Sequence, residues 1–217
     1  MKIISLNVGR PRLVMSHGQT VSTGIFKEPV EGRVMLRTLN LDGDRQADLT
    51  VHGGPAKAVY VYPTEHYEYW KRELPSVELP WGMFGENFTV EGEGADEQSI
   101  NLGDRFRVGG AEVFVTQPRL PCYKLGIKFG RADILKRFLA SGRTGFYLGV
   151  RVEGEVGTGD ELELISRAEH RMTVAEVARL YVGDGRDTEA LRRALEVEAL
   201  PEGWREHFRA MLERKRR

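Results

Sequence analysis

The chain contains a single cysteine, and its neighbours make it a candidate reactive group. Cys122 lies in Gln117-Pro118-Arg119-Leu120-Pro121-Cys122-Tyr123-Lys124. Pro118 and Pro121 each fix φ and stiffen the approach to the thiol. Arg119 and Lys124 bring positive charge close by, which favours the thiolate, the form that acts as nucleophile or metal ligand. The plain alternative is an inert buried cysteine that behaves as a small hydrophobe. Such a filler needs neither a proline frame nor flanking cations.

Two further clusters carry polar chemistry. The first is Gly43-Asp44-Arg45-Gln46-Ala47-Asp48 followed by Val51-His52-Gly53-Gly54-Pro55-Ala56-Lys57. Gly53 and Gly54 allow a ligand to approach the backbone and expose N–H groups. Arg45, His52 and Lys57 could supply charge for an anion. Asp42, Asp44 and Asp48 do not form a calcium loop, because its glycine and terminal glutamate are missing from their places. An ordinary tight turn with a surface histidine explains this segment equally well. The second cluster is Met83-Phe84-Gly85-Glu86-Asn87-Phe88-Thr89, where Asn87 could hydrogen-bond a polar ligand from the start of a strand.

Composition narrows the chemistry further. The 217 residues suit one medium domain, or one with a small appendage. Acidic and basic residues balance at 32 each, so no global field draws nucleic acid or an anionic membrane. An anion site must therefore be local. One cysteine makes neither an internal disulfide nor a four-cysteine zinc or iron–sulfur site. The apolar run at Met1 to Val8 is too short for a signal sequence, and no run is long enough to span a bilayer. A cytoplasmic protein is expected, in which the sequon at Asn87 is accidental.

These residues must be positioned by a mainly β fold. Ile4, Leu6 and Val8 alternate as in a half-buried strand. Val59 to Tyr62 and Phe88 to Val90 are short strands. Gly109-Gly110 joins Arg105–Val108 to Ala111–Thr116 as a two-residue hairpin, both glycines being free to take positive φ. Tyr147 to Glu153 and Glu161 to Ile165 alternate again. Helices are expected from Thr64, as cap, to Leu74 and from Ala132 to Ala140, the latter stopped by Gly142. Many short strands with Gly- and Pro-rich turns indicate a barrel or sandwich. From Ser166 onward the pattern becomes helical. Thr173-Val174-Ala175-Glu176 is a capping box, Asp187 caps a second helix, and Pro201 fits the first turn of a third. The expected division is a β domain over 1–165 and a small three-helix domain over 166–217. The basic tail Arg214 to Arg217 reads as a solvated helix end.

The three clusters together resemble the signature of MOSC-domain proteins, which are related to the C-terminal domain of molybdenum cofactor sulfurase. His-Gly-Gly-Pro with Lys57, Gly-Glu-Asn-Phe, and Gln-Pro-Arg-x-Pro-Cys carry the likeness, and the later helices resemble the three-helix extension of the YiiM-type subgroup. The resemblance covers almost the whole chain and implies a MOSC-type β-barrel with molybdenum cofactor as its ligand. It makes Cys122 the molybdenum ligand. A pterin dithiolene supplies two sulfurs and oxo or hydroxo groups further ligands, so one protein thiolate completes the set. Arg45, His52, Gly53, Gly54, Lys57, Asn87, Arg119 and Lys124 are the candidates for holding the pterin and its phosphate.

The resemblance further implies reduction of N-hydroxylated compounds, such as hydroxylaminopurines, to amines. No Gly-x-Gly-x-x-Gly strand–helix unit and no iron–sulfur set is present, so a separate flavin or iron–sulfur reductase must supply electrons. Three alternatives stand beside this reading. The protein could be a cofactor carrier or sulfur-transfer module; the sulfurase's own pyridoxal-phosphate domain is too large for this chain. It could be a metal-free thiol enzyme with His52 as base to Cys122. It could be a structural domain whose apolar helical face binds a partner or forms a homodimer.

Overall fold

The computed structural model describes residues 1–47, 53–183 and 185–214. Its strands are β1 (Lys2–Val8), β2 (Arg12–Ser16), β3 (Gln19–Thr23), β4 (Glu28–Pro29), β5 (Arg33–Leu36), β6 (Val59–Pro63), β7 (Phe88–Glu91), β8 (Arg105–Val108), β9 (Ala111–Pro118), β10 (Phe146–Val152), β11 (Gly154–Gly157) and β12 (Leu162–Ser166). Helices are α1 (Thr64–Glu73), α2 (Tyr123–Phe129), α3 (Ile134–Ser141), α4 (Val174–Val182), α5 (Thr188–Glu196) and α6 (Glu202–Arg214). Among the described residues no helix is long and apolar enough to cross a membrane.

Eight strands form one sheet in the order β12-β8-β9-β10-β6-β7-β1-β4. Every pairing in it is antiparallel except β6 with β7, which are parallel and joined across α1. A parallel pair requires such a crossover, because a tight turn would reverse the chain. The far sides of the sheet meet. Ile3 N donates to Asp160 O at 2.9 Å, Gly159 N to Ile3 O at 2.8 Å, and Leu162 N to Met1 O at 2.7 Å. These bonds join β1 to the start of β12 and curl the sheet into a barrel-like form. Such contacts cover part of the strand edges that would otherwise be open to pairing.

The strand β6 shows how two cores are built. Val59 and Val61 point into the barrel, while Tyr60 and Tyr62 point outward into a second cluster with Trp70, Phe84, Leu125 and Phe138. The period of two separates them. Helices α1 to α3 therefore cover one outer flank of the barrel. The C-terminal helices do not have a core to themselves: Val177, Leu191 and Phe208 belong to the same cluster as barrel residues Val113 and Leu102.

Local expectations mostly match these elements, with instructive differences. The capping box forms, with Glu176 N donating to Thr173 Oγ1 at 3.1 Å and Thr173 N to Glu176 Oε2 at 2.8 Å. Asp187 caps α5 through Ala190 N at 2.9 Å. Thr64 is not the cap of α1. It is already the first helical residue, after Pro63, which offers no side-chain acceptor. In the β8–β9 turn only Gly109 takes positive φ, at 52°. A Cβ there would sit 2.4 Å from Glu155 O, so the glycine is needed for close packing as well.

Candidate functional site

A cleft enclosing about 660 Å³ of space, part of it open to solvent, lies where the segments after β3, β5 and β9 meet the turns that lead into β6 and β7. Its wall holds Arg45, Lys57, Asn87, Arg119, Cys122 and Lys124, all singled out in the sequence. His52 lies outside the described residues. Gly53 and Gly54 do not line the cleft. Gly54, at φ 96°, instead opens the 3-10 turn Pro55–Lys57, its carbonyl accepting Lys57 N at 2.9 Å. Gly54 thereby fixes the turn that carries Lys57.

The cysteine owes its place to the end of β9. Gln117 and Pro118 still pair with β10, opposite Tyr147 and Phe146. Thr116 Oγ1 donates to Ala56 O at 2.7 Å, which ties the Lys57 turn to the same strand. The chain then leaves the sheet through Arg119, Leu120 and Pro121. Cys122 is the residue before α2, half-buried, with its carbonyl accepting Leu125 N at 2.9 Å. The sequence reading missed α2. Leu125 and Phe129 at helical spacing and Gly130 as a left-handed stop were its signals, weakened by Gly126 in the middle.

Arg119 is the most telling side chain. It is 5% exposed, and its guanidinium lies 4.9 Å from the Tyr60 ring centre and 5.1 Å from that of Phe138. The aromatic faces offset part of the cost of burying its charge. Its Nη1 is buried without a hydrogen-bond partner. Buried polar atoms are almost always paired, so an orphan on a cleft wall indicates a ligand.

Asn87 plays a different part from the expected one. Its Nδ2 donates to Asn7 O at 3.1 Å and Asp44 Oδ2 at 3.0 Å, and its Oδ1 accepts Tyr60 N at 3.1 Å. Both donors are thus spent inside the protein, and the residue fastens β1, β6 and the Asp44 loop together. Asp44 also accepts Gly9 N at 2.8 Å and pairs with Lys27 Nζ at 2.5 Å. Glu86, fully buried, accepts Gly82 N, Phe84 N and the hydroxyls of Thr89 and Tyr67. Burial pushes its carboxyl pKa up.

Lys27, Tyr60 and Tyr147 also line the cleft and were not foreseen. The rings of Tyr60 and Tyr147 lie 5.2 Å apart, tilted by 38°, and burial raises both phenol pKa values. Burial lowers the pKa of Lys57 and, against the pull of Asp44, that of Lys27. Among the described residues the wall carries Lys27, Arg45, Lys57, Arg119 and Lys124 and no carboxylate. No group of three or more His, Cys, Asp or Glu that could hold a bare metal ion occurs among them. The donor set fits a phosphate-bearing anion whose metal brings most of its own ligands.

Comparison with known proteins agrees with this architecture. Residues 48–163 match the MOSC domain, and residues 172–215 match the YiiM-like, 3-alpha helix domain. The chain belongs to the MOSC domain family, in the branch that carries the YiiM-like helical domain. It is 44% identical to YflK of Bacillus subtilis over 206 residues, covering 95% of this chain and 92% of that protein. The crystal structure of YiiM from Geobacillus stearothermophilus superposes with a TM-score of 0.82 at 32% identity, covering 97% of this chain and 98% of that one. A protein named reductase from Gibberella moniliformis is 30% identical over 75% of this chain, a match that spans 29% of its own length. MOSC domains as a class are associated with molybdenum cofactor binding.

Proposed function

We propose that this protein is a molybdenum-cofactor-dependent reductase that converts N-hydroxylated compounds, such as hydroxylaminopurines, to amines with electrons from a separate flavin or iron–sulfur protein. The observation that carries this reading is one wall shared by the Cys122 thiol and the unpartnered Arg119 Nη1, in a cleft with no carboxylate among the described lining residues. Family membership and the reductase name of one relative support it.

When bound, the cofactor supplies two-electron redox chemistry and an acceptor for the substrate oxygen. The overall change is R–NHOH plus two electrons and two protons giving R–NH2 and water. The chain's own residues do the rest. Cys122 offers the single soft thiolate that such a metal takes from a protein. Arg119, fixed between Tyr60 and Phe138, presents a donor to phosphate or pterin oxygen, and an arginine keeps its charge when buried. Arg45 and Lys124 add charge on the same wall. Lys57 is held on its turn by Thr116, and its lowered pKa suits it to hold or release a proton at Nζ.

The test is the molybdenum and pterin content of protein purified from cofactor-making cells, wild type against Cys122→Ser. It is combined with reduction of 6-hydroxylaminopurine by reduced methyl viologen. The reading expects near-stoichiometric metal and turnover in the wild type and loss of both in the variant. Equal molybdenum in the two would remove the ligand role. Cyanide-releasable sulfur on Cys122 without any turnover would mark a carrier instead.

A further inference from the structure

A buried ion pair stands behind the aromatic wall of the cleft. His66, in the first turn of α1, donates from Nε2 to Glu97 and lies 2.9 Å from both carboxylate oxygens. The two residues are 5% and 1% exposed, and neither lines the cleft. A buried pair recovers little more than its own desolvation cost, so stability alone does not account for it. Glu97 Oε1 also accepts Gly145 N at 2.5 Å, just before β10.

Gly145 N–H and the Thr144 carbonyl belong to one planar peptide group. That carbonyl accepts the Tyr60 hydroxyl at 2.8 Å. A chain of hydrogen bonds therefore runs from His66 through Glu97 and the peptide to Tyr60, whose ring centre lies 4.9 Å from the Arg119 guanidinium. A carboxylate on the N–H end of a peptide polarises it and strengthens its carbonyl as an acceptor. A phenol that donates to a stronger acceptor carries more electron density in its ring, which then attracts a cation over its face more strongly. The parts are also in close contact. A Cβ on Gly145 would lie 2.8 Å from Tyr60 Cε2, and Gly145 O accepts Arg119 N at 3.4 Å.

We propose that His66 and Glu97 are positioning residues for the anion site, holding Arg119 on the Tyr60 face so that its free donor stays turned to the ligand. They act through the Thr144–Gly145 peptide and the Tyr60 hydroxyl and touch no ligand themselves. The inference rests on the reading of Arg119 as the donor to cofactor oxygen. It adds three elements that hold that donor from behind: α1, the segment between β7 and β8 that carries Glu97, and the turn into β10.

The experiment follows Arg119 itself, by NMR of the full chain without cofactor. The Arg119 Hε resonance, assigned by its loss in Arg119→Met, should lie upfield of ordinary arginines, because the rings of Tyr60 and Phe138 flank the guanidinium. Glu97→Gln removes the charge, and Tyr60→Phe keeps the ring but removes the hydroxyl. Each should move the resonance towards the ordinary arginine position, and the double variant should move it no further. The pterin content of protein from cofactor-making cells should fall about threefold or more in each, again with no further loss in the double variant. Losses that multiply in the double variant would overturn the proposal, as would full pterin retention in both single variants. A lower melting temperature with an unmoved Arg119 resonance would also overturn it, leaving the pair a purely structural role. Should Glu97→Gln fail to fold, Tyr60→Phe decides alone, an unmoved resonance overturning the proposal. A wild type that carries no pterin while the resonance moves as expected would end the cofactor reading and leave the positioning role supported.

Discussion

Asn87 Nδ2 donates to Asp44 Oδ2 at 3.0 Å, and both side chains are buried. This bond links the Gly-Glu-Asn turn to the loop that carries Arg45 and, through Lys27, to the segment after β3. Removing either partner strands several polar groups. Asp44→Ala leaves the Lys27 ammonium and Gly9 N unpaired, takes one of the two acceptors from Asn87 Nδ2, and should cost about 3–5 kcal/mol. Asn87→Ala should cost about 2–3 kcal/mol. Urea denaturation of each variant checks the ranking, and equal losses would contradict it.

Arg119 should show the opposite pattern. Its buried charge lacks a carboxylate partner, and one of its donors has no partner. Arg119→Met should leave the cofactor-free protein equally stable or more stable, by about 1 kcal/mol. The same change should sharply lower the pterin content of protein from cofactor-making cells. A variant that melts earlier yet keeps its pterin would show that Arg119 serves the fold instead.

Gly85 fixes the distance between two cleft walls. It sits at φ 82°, and a Cβ there would lie 2.9 Å from Ile25 Cγ1. Gly85→Ala should cost about 1–3 kcal/mol through backbone strain and displace Ile25, which lines the cleft. Lower thermal stability together with reduced cofactor retention is the expected readout. Full retention would mean that the segment carrying Ile25 adjusts freely.

Lys128 gives a pH signature. Its Nζ donates to Ile25 O at 2.9 Å and Gly82 O at 2.5 Å, and burial lowers its pKa from 10.5 to about 8. The unfolded chain therefore holds the proton more tightly than the folded one. Charge on Lys128 opposes folding by about 3 kcal/mol at neutral pH, and that penalty is relieved as pH rises from about 8 towards 10.5. The stability of wild type relative to Lys128→Met should grow across that window in chemical denaturation. A constant difference would show that the ammonium is better solvated than its surroundings suggest.

The elements with strong local signals were legible in the sequence. The alternation in β10, the Gly-Gly hairpin and the Thr173 box each follow from spacing within a few residues, whereas in β1 a register shift between Ile3 and Ser5 puts Ile3 rather than Ile4 in the core with Leu6. The hairpin of β2 and β3 escaped notice because its turn uses His17 at φ 47° before Gly18 at φ 77°, and histidine is an uncommon residue for that conformation. For the site, Cys122, Arg119, Lys57 and Lys124 were readable from motif and charge. Tyr60 and Tyr147 were not. They reach the cleft because β6 and β10 pair directly, Tyr60 opposite Tyr147, a register fixed by tertiary contact. Asn87 shows the reverse error: its motif was visible, but the partners that occupy its amide lie some 40 to 80 positions away along the chain.

The seam between Ile3 and Asp160 carries a consequence for biosynthesis. Strand β1 acquires its last neighbour only when residues near 160 have been synthesised. That strand includes Asn7, and Gly9 follows it, so two supports of the Asp44 and Asn87 network wait on the same event. Pairings so distant in sequence form slowly, since the loop entropy must be overcome before they return any stability. The supports of the ligand cleft are accordingly complete only after residues near 160 have folded back onto β1, and any cofactor settles there after that event.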